Sequence, residues 1–164
     1  MRIKIGDVFS VNISESEKKF FQYIAVDSTQ LNSDVIRSFN RKYLLNEIVE
    51  IESILDGEID FYAHCVIKLG LKMKLWEKVG NSNKTGELQN ILFRGSRDSG
   101  CKPGEQIKFS TDWYVWKIND KDFTFVGKLE GDNIKAELGL VVNPYDVIER
   151  MRTGNFSFFY PDYE

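Results

Sequence analysis

The chain has few groups suited to proton transfer at neutral pH. Its 164 residues include one histidine, His64, and two cysteines, Cys65 and Cys101. A general acid or base working near pH 7 is therefore His64 or a perturbed carboxylate. Two cysteines are too few for a disulfide framework, and with one histidine they match none of the usual zinc spacings. A reducing cytoplasm is the simplest expected location. No segment reaches the ~18 uninterrupted apolar residues of a membrane span. The opening Met1-Arg2-Ile3-Lys4-Ile5-Gly6-Asp7 places Gly and Asp where a signal peptide needs its apolar stretch. No cofactor motif occurs, so none is expected to be bound. The acidic pI of about 5.4 argues against a whole-surface nucleic-acid binder but leaves a local basic patch open.

What is present is material for a core. Hydrophobic residues make up 42% and aromatics 13% of the chain, which excludes disorder and predicts one domain over residues 1–164. Asp7 to Ile13 alternates with period two, breaks at Ser14-Glu15-Ser16-Glu17, and resumes over Lys18 to Val26, which predicts a hairpin. A short strand is expected at Val35 to Phe39. Leu44, Ile48, Ile51 and Leu55 recur at helical spacing with Glu47 and Glu50 opposite, Asn46 as N-cap and Asp56-Gly57 as the stop. Glu58 to Leu69 alternates as a half-buried strand with Ile59, Phe61, Ala63, Cys65 and Ile67 inward and Glu58, Asp60 and Tyr62 on the other face. Gly80 to Gly86 and Gly95 to Gly104 read as loops around a strand at Asn90 to Arg94. Trp113 to Ile118 and Phe123 to Leu129 form a second hairpin through Asn119-Asp120-Lys121-Asp122. A strand over Leu138 to Val142 is followed by a helix with Asn143 as N-cap, Pro144 at N1 and Gly154 at C′. The expected fold is α+β: a β-dominated domain with a curled antiparallel sheet or partial barrel and one or two packed helices.

The candidate chemistry is sparse. His64 and Cys65 are consecutive in a strand, so the thiol points to the core and the imidazole toward Tyr62 and Asp60, and they cannot form a nucleophile–base pair. Cys101 has only Lys102 nearby to lower its pKa. Leu92 to Gly100 carries Arg94, Arg97 and two glycines, a loop able to cradle an anion, but it lacks a Walker pattern. Trp76, Trp113 and Trp116 suggest a stacking platform. Trp113 and Trp116 lie an odd number of residues apart, so at least one of them is core.

Charge is segregated along the chain. Glu47, Glu50, Glu52, Asp56, Glu58 and Asp60 lie between Lys42 and Lys68 with no basic residue among them. From Lys68 to Lys102 there are eight Lys or Arg against Glu77, Glu87 and Asp98. Such segregation favours electrostatic choice of a partner.

Lys4-Ile5-Gly6-Asp7-Val8-Phe9, Phe20-Phe21-Gln22-Tyr23, Trp76-Glu77-Lys78-Val79-Gly80, Leu92-Phe93-Arg94, Trp113 to Trp116 and Arg150-Met151-Arg152-Thr153-Gly154 together resemble the immunity protein 26 family, whose members are thought to neutralise toxins of bacterial polymorphic toxin systems. The resemblance spans most of the chain and implies a cytoplasmic, non-enzymatic inhibitor of a cognate toxin. The acidic stretch adds the expectation of a basic toxin, met by Glu47, Glu50, Glu58 and Asp60 around Tyr62 as aromatic anchor. The alternative is a β-rich module that binds nucleic acid or another polyanion through Trp76, Arg94 and Arg97.

Overall fold

The computed structural model describes residues 2–99 and 106–163. The first hairpin forms as the alternation predicts: β1 (Asp7–Asn12) pairs antiparallel with β2 (Glu17–Asp27). Ser14 closes the turn, its Oγ accepting from the amides of Ser16 and Glu17. β2 continues into β3 (Ser33–Phe39), and β3 pairs with β5 (Ile59–Cys65). On the other side, β1 pairs with β6 (Trp76–Asn81). The short β4 (Tyr43–Leu44) adds to the start of β2, and β11 (Val141–Val142) lies parallel to β5. These strands make a seven-stranded sheet ordered β11-β5-β3-β2-β1-β6, with β4 off that path. A four-stranded sheet follows the order β10-β7-β8-β9, from β7 (Leu92–Ser96), β8 (Trp113–Lys117), β9 (Thr124–Gly127) and β10 (Glu137–Leu138), with β10 parallel to β7.

The result is a β-dominated α+β domain, but both sheets are mixed and neither closes into a barrel. A parallel partner requires a crossover. For β11 and β10 the crossovers are the long excursions that build the small sheet and the 3₁₀ turn at Gly131–Lys135.

Each face of the large sheet has a cover. On one face, Phe9, Val11, Phe21, Tyr23, Ile36, Phe61, Ala63 and Cys65 pack beneath α2 (Ile67–Lys72) and α3 (Pro144–Thr153), with Phe156 and Phe158 joining them. On the other, Ile24, Ala25 and Val35 meet Phe93 and Trp116 of the small sheet. Farther along that second face, Val8, Phe20, Phe39 and Tyr43 pack under α1 (Ile51–Leu55). Trp113 and Val115 point away from the large sheet, toward Leu129, Ala136, Tyr160 and Tyr163. The opposite orientation of Trp113 and Trp116 is thus as the spacing requires, and both rings are buried. Every fully buried large side chain here contributes about 1.5–3 kcal/mol relative to exposure.

α3 follows its sequence signals closely: Asn143 Oδ1 accepts from the Tyr145 amide at 2.9 Å, Pro144 opens the helix, and Gly154 closes it at φ 85°. The helix expected from Leu44 to Leu55 does not form, and only its last turn, Ile51–Leu55, is helical. Its N-cap is Glu50 rather than Asn46. The cause is competition for carbonyls: Lys18 Nζ donates to Leu45 O at 3.0 Å and to Glu47 O at 2.7 Å, acceptors that a helix would give to its own amides. The strand expected to run to Leu69 ends at Cys65, and α2 begins at Ile67, whose amide donates to Asp34 Oδ2 at 3.2 Å. Ile67, Leu69 and Leu71 fit period two as far as it goes, so alternation alone hid this helix. β6 extends into what the glycines marked as loop, and the single strand expected over Leu138 to Val142 is two short ones.

Candidate functional site

His64 is fully buried, against the expectation of a ring facing the polar side of its strand. Its own face of the large sheet is covered by the small sheet, and the imidazole centroid lies 4.2 Å from that of Phe93. Nε2 meets Asp27 Oδ2 at 2.9 Å, the same oxygen accepts Trp116 Nε1 at 3.0 Å, and Oδ1 accepts the Asn119 amide at 3.2 Å. Asp27 therefore fastens three segments: the end of β2, the end of β5 and the β8–β9 hairpin. Burial lowers the His64 pKa, which the Asp27 carboxylate only partly restores. For Asp27 burial pushes upward, but the hydrogen bonds from His64, Trp116 and Asn119 outweigh it and hold the carboxylate below its ordinary value. A neutral His64 that donates from Nε2 fits both directions. Its Nδ1 is then a buried acceptor with no partner among the described residues. The ring is a structural tie, sealed from any substrate at the surface.

Cys65 points to the opposite face, as the strand alternation predicts, and burial pushes its thiol pKa far up. It is packed as an apolar group and has no route to a thiolate. Cys101 lies outside the described residues, as does the end of the loop expected at Gly95 to Gly104.

The proposed acidic contacts are divided by the structure. Phe61, Ala63, Cys65 and Ile67 are buried as expected, and Ile59 is half-buried. Glu58 is exposed at the entry to β5. Asp60 is partly buried and lies 3.7 Å from Lys19 Nζ, itself almost inaccessible. Tyr62 is half-buried among the residues packed between the two sheets, so it does not stand out as an anchor. Glu47 and Glu50 are exposed, but in an irregular segment rather than on a shared helix.

That segment holds the feature sequence reasoning missed. Ile48 is 97% exposed and Leu44 54% exposed. The backbone carrying them is firmly held: Leu44 N donates to Glu47 Oε1 at 2.9 Å, Glu47 N to Leu44 O at 3.1 Å, and Leu45 N to Ser16 O at 3.1 Å. The two Lys18 bonds complete the clamp. Glu47 and Glu50 flank the projecting Ile48 in sequence. Helical spacing puts Ile48 on one face with Leu44, Ile51 and Leu55, opposite Glu47 and Glu50, whereas the Lys18 bridge holds the segment out of a helix.

The residues of the alternative reading are occupied elsewhere. Trp76, Trp113 and Trp116 are buried. The Arg94 guanidinium lies over Trp113 and Tyr163 and donates through Nη1 to Ala136 O. Arg97 pairs with Asp112 Oδ1 at 2.7 Å. No group of three or more His, Cys, Asp or Glu among the described residues could hold a metal ion, and no helix among them is long and apolar enough to cross a membrane.

Comparison of the chain with protein-family models, with curated proteins and with solved structures finds no match.

Proposed function

We propose that the chain works by binding rather than by turnover, as a cytoplasmic immunity protein that neutralises a cognate, basic bacterial toxin. The observation that carries this reading is Ile48, held in water on a hydrogen-bonded turn between Glu47 and Glu50. A large aliphatic side chain in that position gains nothing for the folded monomer. Buried in a partner's pocket, it would contribute about 1.5–3 kcal/mol. The carboxylates around it would steer a basic surface into place and discourage other partners. An apolar centre with a charged rim is the usual anatomy of a specific interface. The anchor is therefore Ile48, not Tyr62, and the rim is Glu47, Glu50 and Glu58. The sequestered His64 and Cys65 support the non-enzymatic part of the reading, and the resemblance to the immunity protein 26 family supports the toxin as partner.

The proposal requires a secreted toxin to be encoded beside this chain, and the test is co-expression of that toxin's C-terminal domain with this protein in bacteria. The intact protein should restore growth and form a stable complex burying about 1,200–2,000 Å². Ile48→Asp should weaken that complex by roughly 10- to 150-fold, the equivalent of its burial energy. Glu50→Lys with Glu58→Lys should slow association and flatten its salt dependence. Asp60 is a poor choice for reversal, because the change would strand the buried Lys19. Failure to restore growth, or rescue indifferent to Ile48→Asp, would contradict the proposal.

A further inference from the structure

We infer that the groove between α2 and β6 is a binding site for a small organic phosphate, an anionic phosphate group carried on an apolar or aromatic body. The groove has a volume of about 760 Å³ and is lined by Lys68, Lys72, Lys74, Leu71, Leu75 and Trp76, among others. That volume lies within the range of small-molecule sites, which pair an apolar wall with a few convergent polar groups. Lys68 and Lys72 are four residues apart on α2 and share one helix face. Lys78 also lines the groove but is neutralised by Asp7 at 2.9 Å. Lys68, Lys72 and Lys74 have no acid partner among the described residues, and Glu77 is the one acid in the lining. Three unpaired ammonium groups against one carboxylate leave an excess of positive charge suited to a multiply charged anion. Leu71, Leu75 and the edge of Trp76 form a wall suited to an apolar body.

The walls are rigid. Trp76 Nε1 donates to Ile67 O at 3.1 Å, and Gly70 lies so close to the indole that a Cβ there would enter the ring. The end of α2 is closed by Lys74 N to Leu71 O at 3.0 Å and Leu75 N to Gly70 O at 2.9 Å. This is a Schellman cap, in which the C′ residue adopts a left-handed conformation and glycine is the favoured occupant. Here that residue is Lys74, at φ 58°. The chain accepts left-handed strain at this position while placing a third lysine in the groove lining. A cap serving the fold alone would favour glycine.

Isothermal titration with adenosine diphosphate, pyrophosphate, adenosine and a short single-stranded oligonucleotide tests the site. Adenosine diphosphate should bind saturably, pyrophosphate should compete with it, and adenosine should bind at least ~10-fold more weakly, since charged hydrogen bonds carry the recognition. Lys68→Gln with Lys72→Gln should weaken adenosine diphosphate by ~10-fold or more at an unchanged unfolding midpoint, both side chains being exposed. Lys74→Gly should weaken binding while raising the melting temperature, a combination that a purely structural lysine would not give. Adenosine binding as well as its diphosphate, affinity indifferent to the lysine changes, or a strand of nucleic acid that outcompetes the diphosphate would each overturn the inference. So would the absence of binding by every probe.

Discussion

Replacing Asp27 with alanine should cost the protein much of its stability and alter how that stability depends on pH. The carboxylate accepts from His64 Nε2 and Trp116 Nε1, both buried donors. Each stranded buried donor costs about 1–3 kcal/mol. Removing the carboxylate also removes its own desolvation penalty, so the net loss should be about 2–4 kcal/mol, a large share of the roughly 5–15 kcal/mol typical of a domain. Urea unfolding followed by tryptophan fluorescence reads this directly, since Trp116 is one of the three reporters. With a urea slope of about 2 kcal/mol per molar, the midpoint should fall by roughly 1–2 M. In the intact protein the folded pKa of His64 lies below its ordinary value. The unfolded chain therefore takes up that proton first as pH falls, and folding is progressively disfavoured. The contribution of His64 is fully present above about pH 6.5 and declines as pH drops toward the folded value, by at most ~1.4 kcal/mol per pH unit. In Asp27→Ala nothing supports the imidazolium, so the decline should extend to lower pH. A midpoint change worth under ~1 kcal/mol, or intact-protein stability that stays flat from pH 7 to 5, would refute this account of the network.

Further expectations follow from the same packing. Phe61→Ala removes a fully buried ring beneath Arg150 and Phe156 and should destabilise by roughly 3–5 kcal/mol in chemical denaturation. Gly139→Ala would place a Cβ inside the Trp116 ring, and forced repacking should cost at least about 1–3 kcal/mol, visible as a lower melting temperature. His64→Gln should lower stability yet leave the proposed inhibition per folded molecule unchanged. A ~100-fold loss of function at equal folded fraction would instead point to a catalytic imidazole.

The hairpins and the last helix were legible in the sequence because their signals are local. Period-two alternation in β1 and β2, the Asn119 turn, and the Asn143-Pro144 and Gly154 boundaries of α3 need only their neighbours. The segment from Leu44 to Glu50 was misread because its conformation is set by Lys18, 27 residues before Leu45. α2 was hidden because a six-residue helix of Ile, Leu and Lys mimics alternation, and its start is fixed by Asp34 across the sheet. The burial of His64 depends on the small sheet, whose strands come later in the chain and carry no mark of where they will lie. For the candidate site, the acids Glu47, Glu50 and Glu58 were visible as composition. The exposure of Ile48 was not, since helical spacing groups it with Leu44, Ile51 and Leu55 on one apolar face.

The most direct test of the central claim is a binding titration of the proposed toxin partner against the intact protein and Ile48→Asp, with unfolding midpoints measured in parallel. The account predicts a stoichiometric complex with the intact protein and at least ~10-fold weaker binding by the variant at an unchanged midpoint. A complex of equal affinity with both proteins, or no complex at all, would contradict it.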